Sequence, residues 1–259
     1  MYDREQIQEY GSFRDDLANK PQSYRNISAG LKGKNMSDGA GHLTVPSPIG
    51  WNVWQEVLRA CYASITMVDA AGGKILSKLA ELGLAENTLV VWTTDHGDAL
   101  ASHGGHVDKE SFMTEEVFRI PMAFRWPGHI QAGVKNASLV SNIDLGPTLL
   151  AAAGTAYRGK TDGQSLLPLL TGVQAKLRDD LLCETHGHHQ YNTIGRMLVT
   201  DRYKYIATQG DRHELYDLQT DPYELTNLID DPVLESVRTD LRHRLMEWQR
   251  RTKDDGRVL

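Results

Sequence analysis

Two cysteines in 259 residues, Cys61 and Cys183, are too few for a disulfide framework. Cys61 falls within a helical pattern and reads as a small core residue. Basic charge is not in surplus either. The 28 Lys and Arg stand against 34 Asp and Glu, for a formal net charge of -6. That balance argues against a nonspecific nucleic-acid surface. No apolar run is long enough to cross a bilayer, so no membrane partner is expected. The opening Met1-Tyr2-Asp3-Arg4-Glu5 lacks signal-peptide anatomy, which leaves the compartment open between cytoplasm and periplasm. No internal repeat is present, and no convincing nucleophile motif stands out.

What is present suits a globular chain with a sizeable core: 40% of the residues are hydrophobic and 24% are charged. Residues 1–27 are polar and irregular, with Phe13, Leu17 and Tyr24 as scattered anchors. Residues 28–50 carry Gly30, Gly33, Gly39, Gly41 and Gly50 among Ser, Asn and Pro, and read as a long loop, either mobile near a site or disordered. From Trp51 to Leu82, Val53, Val57, Cys61, Ile65, Val68, Ile75 and Leu79 recur at helical steps, and Gly83 ends the pattern. Gly72 and Gly73 weaken that helix unless they permit close packing.

Thr88–Thr94 reads as a strand covered on both faces, half of a strand–helix–strand unit in the middle of a sheet. Ile120–Arg125 reads as a second strand. Asp144 is placed to cap a short helix that runs through Ala153 and stops at Gly154. After Gly172 the texture changes. Arg196–Thr200, Tyr203–Ala207 and Glu214–Leu218 read as an antiparallel meander. Asp221-Pro222-Tyr223-Glu224 has the cap, Pro and Glu of a helix start. A last helix puts Leu234, Val237, Leu241, Leu245 and Trp248 on one face, to pack on a sheet.

The candidate chemistry follows the first strand. Val90-Val91-Trp92-Thr93-Thr94 leads into Asp95-His96-Gly97-Asp98, with His103 and Lys109 close behind. Open α/β sheets place their chemistry beyond strand carboxyl ends. A carboxylate, an imidazole and an amine delivered there suit a metal ion and an anion. Each has a bland alternative: a loop cap for Asp95, a chain turn for His96, a solvated amine for Lys109, a structural ring for His103 and His106. Glu184-Thr185-His186-Gly187-His188-His189 reads as substrate-contacting or surface residues rather than a zinc site, since nothing else supplies a matching ligand set.

Asp95-His96-Gly97-Asp98, His103-Gly104, Asp108-Lys109, Glu115-Glu116, Arg119-Ile120-Pro121 and Arg125-Trp126-Pro127-Gly128 follow one another as in type I sulfatases, members of the alkaline phosphatase-like superfamily. The likeness continues through Ser141-Asn142-Ile143-Asp144-Leu145-Gly146-Pro147, Gly163-Gln164-Ser165-Leu166-Leu167-Pro168, Arg202-Tyr203-Lys204-Tyr205, Glu214-Leu215-Tyr216-Asp217-Leu218 and Asp221-Pro222. The chain thus resembles roughly the C-terminal half of a sulfatase. The family's Cys/Ser-x-Pro-x-Arg nucleophile motif is absent, and neither Cys61-Tyr62-Ala63 nor Cys183-Glu184-Thr185 fits it.

The resemblance implies an α/β fold: part of an alkaline phosphatase-like mixed sheet with flanking helices over residues 1–172, and a small antiparallel subdomain with a helix over 173–259. It implies metal-assisted sulfuric ester hydrolysis of a sulfate ester substrate, with the isolated chain inactive for want of the nucleophile. Asp95 and His96 would be metal ligands, Lys109 the catalytic cation against the sulfate, and His103 and His188 substrate-binding residues. The implied cofactor is a divalent metal, calcium by family, with a site incomplete here. Imidazole at His96 keeps manganese and zinc open. The alternatives are phosphodiester or phosphonate monoester hydrolysis, and a non-catalytic binding remnant. A further expected partner is an N-terminal half, or a second copy meeting the incomplete sheet.

Overall fold

The computed structural model describes residues 2–26, 50–188, 191–256 and 258–259, apart from the side chains at 188, 191 and 192. The glycine-rich stretch read as a long loop lies outside the described residues except for Gly50, which precedes the first helix.

Helix α1 spans Trp51–Glu81 and gives way to Gly83 at φ +67, a left-handed turn that glycine adopts without strain. Its 31 residues make a rod of roughly 46 Å. Only its first turns bury apolar side chains, at Trp54 and Leu58. Further along, Ile65, Met67, Val68 and Ile75 are 62%, 74%, 56% and 70% exposed. Gly72 sits against the Trp92 ring: a Cβ there would stand 2.8 Å from Cζ3. The glycine therefore lets the helix approach the first strand closely.

Strand β1 (Val90–Thr93) pairs antiparallel with β2 (Met122–Arg125), Val90 facing Arg125 and Thr93 facing Met122. The expectation of a strand covered on both faces and paired on both edges is not met among the described residues. Among the described residues the sheet has two strands, and Trp92 is half exposed. Between the strands, helix α2 (Glu115–Phe118) makes one turn. Helix α3 (Leu145–Ala152) follows where a short helix is read, with Gly154 at φ +71 behind it. The Asp144 side chain does not cap α3. It instead accepts from the Ser141 amide in the preceding turn.

The C-terminal sheet has four antiparallel strands in sequential order: β3 (Asp180–His188), β4 (Tyr191–Thr200), β5 (Tyr203–Thr208) and β6 (Glu214–Asp217). The sequence pattern reads the last three. Strand β3 completes the meander. Successive residues point to opposite faces, as the strand repeat of two requires. Leu198, Tyr205 and Leu215 pack under helix α4 (Glu235–Thr252), against Leu241, Leu245 and Trp248. Met197, Ile206 and Tyr216 pack on the other face, against Met113. The sheet is thereby clamped between α4 and the segment that leads into α2.

The helix start read at Asp221-Pro222 is a turn instead, with Glu224 at φ +53. The reason is electrostatic. Glu224 turns inward, where its carboxylate meets the buried Lys204 ammonium at 2.8 Å and accepts from the Glu115 amide at 2.7 Å. The same cap-and-Pro pattern recurs at Asp231-Pro232. There the Asp231 carboxylate does accept from the Val233 amide, and α4 follows.

Candidate active site

Strand β1 delivers Thr94, Asp95 and His96 to one end of the small sheet. Gly97 then makes the turn that follows. Its amide donates to the Val117 carbonyl at 2.8 Å, and any Cβ there would overlap the Glu116 carbonyl oxygen. Only glycine allows this approach, so the Asp-His-Gly order has a steric cause.

The Asp95 carboxylate stands in solvent, with its side chain 82% exposed. The His96 backbone amide, before any other group, holds its pKa below the usual carboxylate value. Asn142 donates to the Asp95 carbonyl at 3.1 Å and ties this turn to residues 141–144. The His96 Nδ1 lies 2.7 Å from the Gly97 carbonyl oxygen. A carbonyl can only accept, so Nδ1 donates here, and Nε2 is the ring nitrogen available to a metal in the neutral ring. That Nε2 lies 3.5 Å from an Asp95 carboxylate oxygen. The two residues therefore present one oxygen and one nitrogen donor side by side. This donor set fits a divalent cation, with the second ring nitrogen fixed by a backbone carbonyl as metal-binding histidines commonly have it.

Lys109 arrives by a strained loop. Leu100, Ala101, His103, Asp108 and Glu110 all hold left-handed backbone without being glycine. Such positions cost of order 1–3 kcal/mol each and persist only where the surroundings impose them. One Asp98 carboxylate oxygen accepts from the amides of Leu100 and Asp108, both at 2.9 Å, and closes the loop at its base. The Lys109 amide donates to the Asp108 carboxylate at 2.7 Å.

Asp95, His96 and Lys109 line a single cleft of 1660 Å³, which runs from the end of β1 to the face of β3 and β4. His186 and Glu184 reach the same cleft, 3.3 Å apart. Arg119, Lys135 and Lys176 also line it. Arg119 and Asn142 sit inside the sulfatase-like motifs of the sequence, whereas Lys135 and Lys176 carry no local signal.

His103 is placed elsewhere. It is 1% exposed, with Nδ1 3.1 Å from Asp15 and Nε2 3.2 Å from Glu116. Both ring nitrogens are committed to carboxylates, and the ring is not part of the cleft wall. The side chain of His188 lies outside the described residues.

His103, Glu116 and Glu224 bring potential ligand atoms within 4.8 Å of one another. Their charge is already met from inside the protein. Lys204 pairs with Glu224, and the Lys20 ammonium reaches the Glu224 carbonyl and the Tyr216 hydroxyl. This cluster is an internal ion-pair network, whereas Asp95 and His96 face open space. Burial lowers the Lys204 pKa, but Glu224 and Glu115 more than offset it, so the ammonium stays charged. Burial pushes the Cys183 thiol up to about 12, which leaves it unsuited to act as a thiolate nucleophile.

Comparison with known proteins places the chain in a family. Residues 1–155 match the sulfatase family model, and residues 102–251 match the model of the C-terminal region of N-sulphoglucosamine sulphohydrolase. An N-acetylglucosamine-6-O-sulfatase of Bacteroides thetaiotaomicron is 30% identical over 222 residues, which is 83% of this chain and 39% of that protein. A Δ4,5-hexuronate-2-O-sulfatase of the same organism is 33% identical, over 84% of this chain and 47% of that protein. The chain thus spans less than half the length of these relatives. The solved structure of a 2-O glycosaminoglycan sulfatase superposes with a TM-score of 0.84 at 29% identity, covering 98% of this chain and 54% of that one. A phosphonate monoester hydrolase of Agrobacterium radiobacter shares the fold, with a TM-score of 0.75 at 23% identity over 90% of this chain and 50% of that one. The ordered motifs, the mixed α/β architecture and the family matches agree: this chain belongs to the type I sulfatase family, with the alkaline phosphatase-like fold.

Proposed function

We propose that this chain carries the metal-and-lysine side of a sulfuric ester hydrolase site, and that its substrate is the sulfate ester of a sugar. The observation that carries the reading is the convergence of Asp95, His96 and Lys109 on one cleft. Asp95 and His96 would hold the divalent cation through a carboxylate oxygen and Nε2, with calcium as the first candidate. Bound there, the cation would polarise the sulfate oxygens. Lys109 supplies a fixed positive charge where the transferred group gains negative charge. Asn142 holds the Asp95 backbone in place, and His186 and Glu184 border the region open to the sugar. The sugar assignment rests on relatives whose names specify sulfated saccharides, and on a family structure at 27% identity determined with D-glucosamine-2-N,6-O-disulfate. We assign the catalytic α/β part to residues 1–172 and the antiparallel part to 173–259.

Covalent catalysis needs an attacking group. The sequence offers no Cys/Ser-x-Pro-x-Arg, so the chain alone is expected to be inactive on aryl sulfates. The test supplies a sulfatase segment that bears the matured motif and follows sulfate release. Turnover that appears with the segment and falls about 100-fold in Lys109→Ala supports the reading. Turnover by the chain alone, lost in Lys109→Ala, would show that it holds its own nucleophile. Turnover confined to phosphonate or phosphodiester substrates would favour that chemistry, and none with any ester a non-catalytic remnant.

A further inference from the structure

The strained loop that carries Lys109 is held from the far side by the N-terminal segment. The Gly104 amide donates to the Ser12 carbonyl at 3.2 Å, and His106 Nε2 donates to the Tyr24 carbonyl at 3.3 Å. The Ser12 hydroxyl reaches Glu116 at 3.2 Å. At the centre stands His103, between Asp15 and Glu116. A carboxylate only accepts hydrogen bonds, so two such contacts need a proton on each ring nitrogen. The ring fits its place as an imidazolium.

The charged groups that face it are few. Asp15 and Lys20 come from the N-terminal segment, Glu116 from α2 and Glu224 from the turn after β6. Lys20 is engaged by Tyr216 and the Glu224 carbonyl, and Glu224 by Lys204. The two carboxylates in contact with the ring therefore dominate. Burial lowers the His103 pKa, but the hydrogen bonds to Asp15 and Glu116 outweigh it and leave the value above that of a free imidazole.

We propose that His103, held as an imidazolium between Asp15 and Glu116, is a positioning residue that clamps residues 12–24 onto the Lys109 loop, so that losing its proton loosens the backbone that aims Lys109. This rests on reading Lys109 as the sulfate-facing lysine, and adds what sets its position. The sign follows from the raised pKa. The clamp is complete below pH 6.5 and is lost as pH rises through the folded value.

The experiment uses the full chain with ring-labelled histidine, followed by NMR across pH. Free histidine in the same buffer serves as the reference. Amide hydrogen exchange over residues 98–110 is read in parallel, with the intrinsic rate divided out. His103 is expected to keep both ring protons at a pH where free histidine has lost one. Exchange at Gly104, Asp108 and Lys109 should quicken as His103 deprotonates. In His103→Gln that exchange should be about tenfold faster at every pH, because the clamp never forms. Asp15→Asn should act in the same direction and carries the test if His103→Gln does not fold. His243→Gln should leave the loop unchanged. A His103 that titrates with free histidine, or exchange indifferent to Asp15→Asn, would overturn the proposal. A final arm adds inorganic sulfate below pH 6.5. If the clamp behaves as described but Lys109→Ala leaves the sulfate response intact, the clamp stands and the sulfate role of Lys109 falls.

Discussion

Arg178 grips both carboxylate oxygens of Asp144, at 2.7 and 2.6 Å, and neither side chain reaches solvent appreciably. The same carboxylate accepts from the amides of Ser141 and Gln164. The pair thus ties the turn that bears Asn142, and through it Asp95, to the start of the C-terminal sheet. A buried pair that loses one partner leaves an uncompensated charge. Arg178→Ala is therefore expected to cost about 3–5 kcal/mol, read as a lowered denaturant midpoint. Arg178→Lys should recover only part of this, since an ammonium cannot reproduce the two-pronged contact. A midpoint unchanged in Arg178→Ala would remove the pair from the list of stabilising contacts.

Stability should fall at both ends of the pH scale around His103 and Glu116. Burial raises the Glu116 pKa, but the His103 contact outweighs it and brings the carboxyl from 4.5 down to about 2. That contribution is present above pH 4.5 and is lost as pH falls towards 2. His103 acts in the opposite sense. Glu116→Gln is expected to flatten part of the acid limb of a melting-temperature profile. A profile identical to that of the parent between pH 2 and 4.5 would contradict the assignment.

Calcium binding by this chain should be weak. Asp95 and His96 offer two donors, whereas calcium takes about 6–8 oxygen ligands. Calorimetry is expected to give a dissociation constant no tighter than roughly 10⁻⁴ M, lost in Asp95→Ala. Tight one-to-one binding would show that further groups of the chain complete the shell.

The apolar face of α1 should drive association. Among the described residues, Ile65, Val68 and Ile75 are exposed on the helix whose Gly72 meets Trp92, and the sheet that holds Trp92 has two strands. Faces and edges of that kind recruit partners. The expected partner is a polypeptide that supplies the rest of the sulfatase sheet, and a second copy when none is present. Ile75→Glu should weaken self-association at least tenfold by light scattering, at about 1.4 kcal/mol per decade. A parent chain that stays monomeric at high concentration and binds no apolar dye would refute this.

Much of the site was legible because its signals are local. Gly97 must be glycine beside the Glu116 carbonyl, and Asp95 and His96 follow a short apolar strand. Lys109 sits a fixed distance further along. Within the C-terminal part, alternation along β4 to β6 and the stripe of Leu241, Leu245 and Trp248 announced a helix on a sheet. The start of α4 was misplaced because Asp221-Pro222 and Asp231-Pro232 carry the same local pattern. What separates them is the Lys204 ammonium, which draws Glu224 inward from β5.

His103 shows the same division. By itself the sequence determined the family and most of the order of the elements, and it named candidate residues for a cation and an anion, because propensity, periodicity and motif spacing act over a few residues. Tertiary structure alone decided that His103 is interior while His186 reaches the cleft. It also decided that β1 pairs with β2 and leaves the flank of α1 bare, and that Lys20 and Lys204 neutralise the carboxylates around Glu224. Those outcomes depend on which charges and faces meet once separate elements pack together, and no local pattern encodes such meetings.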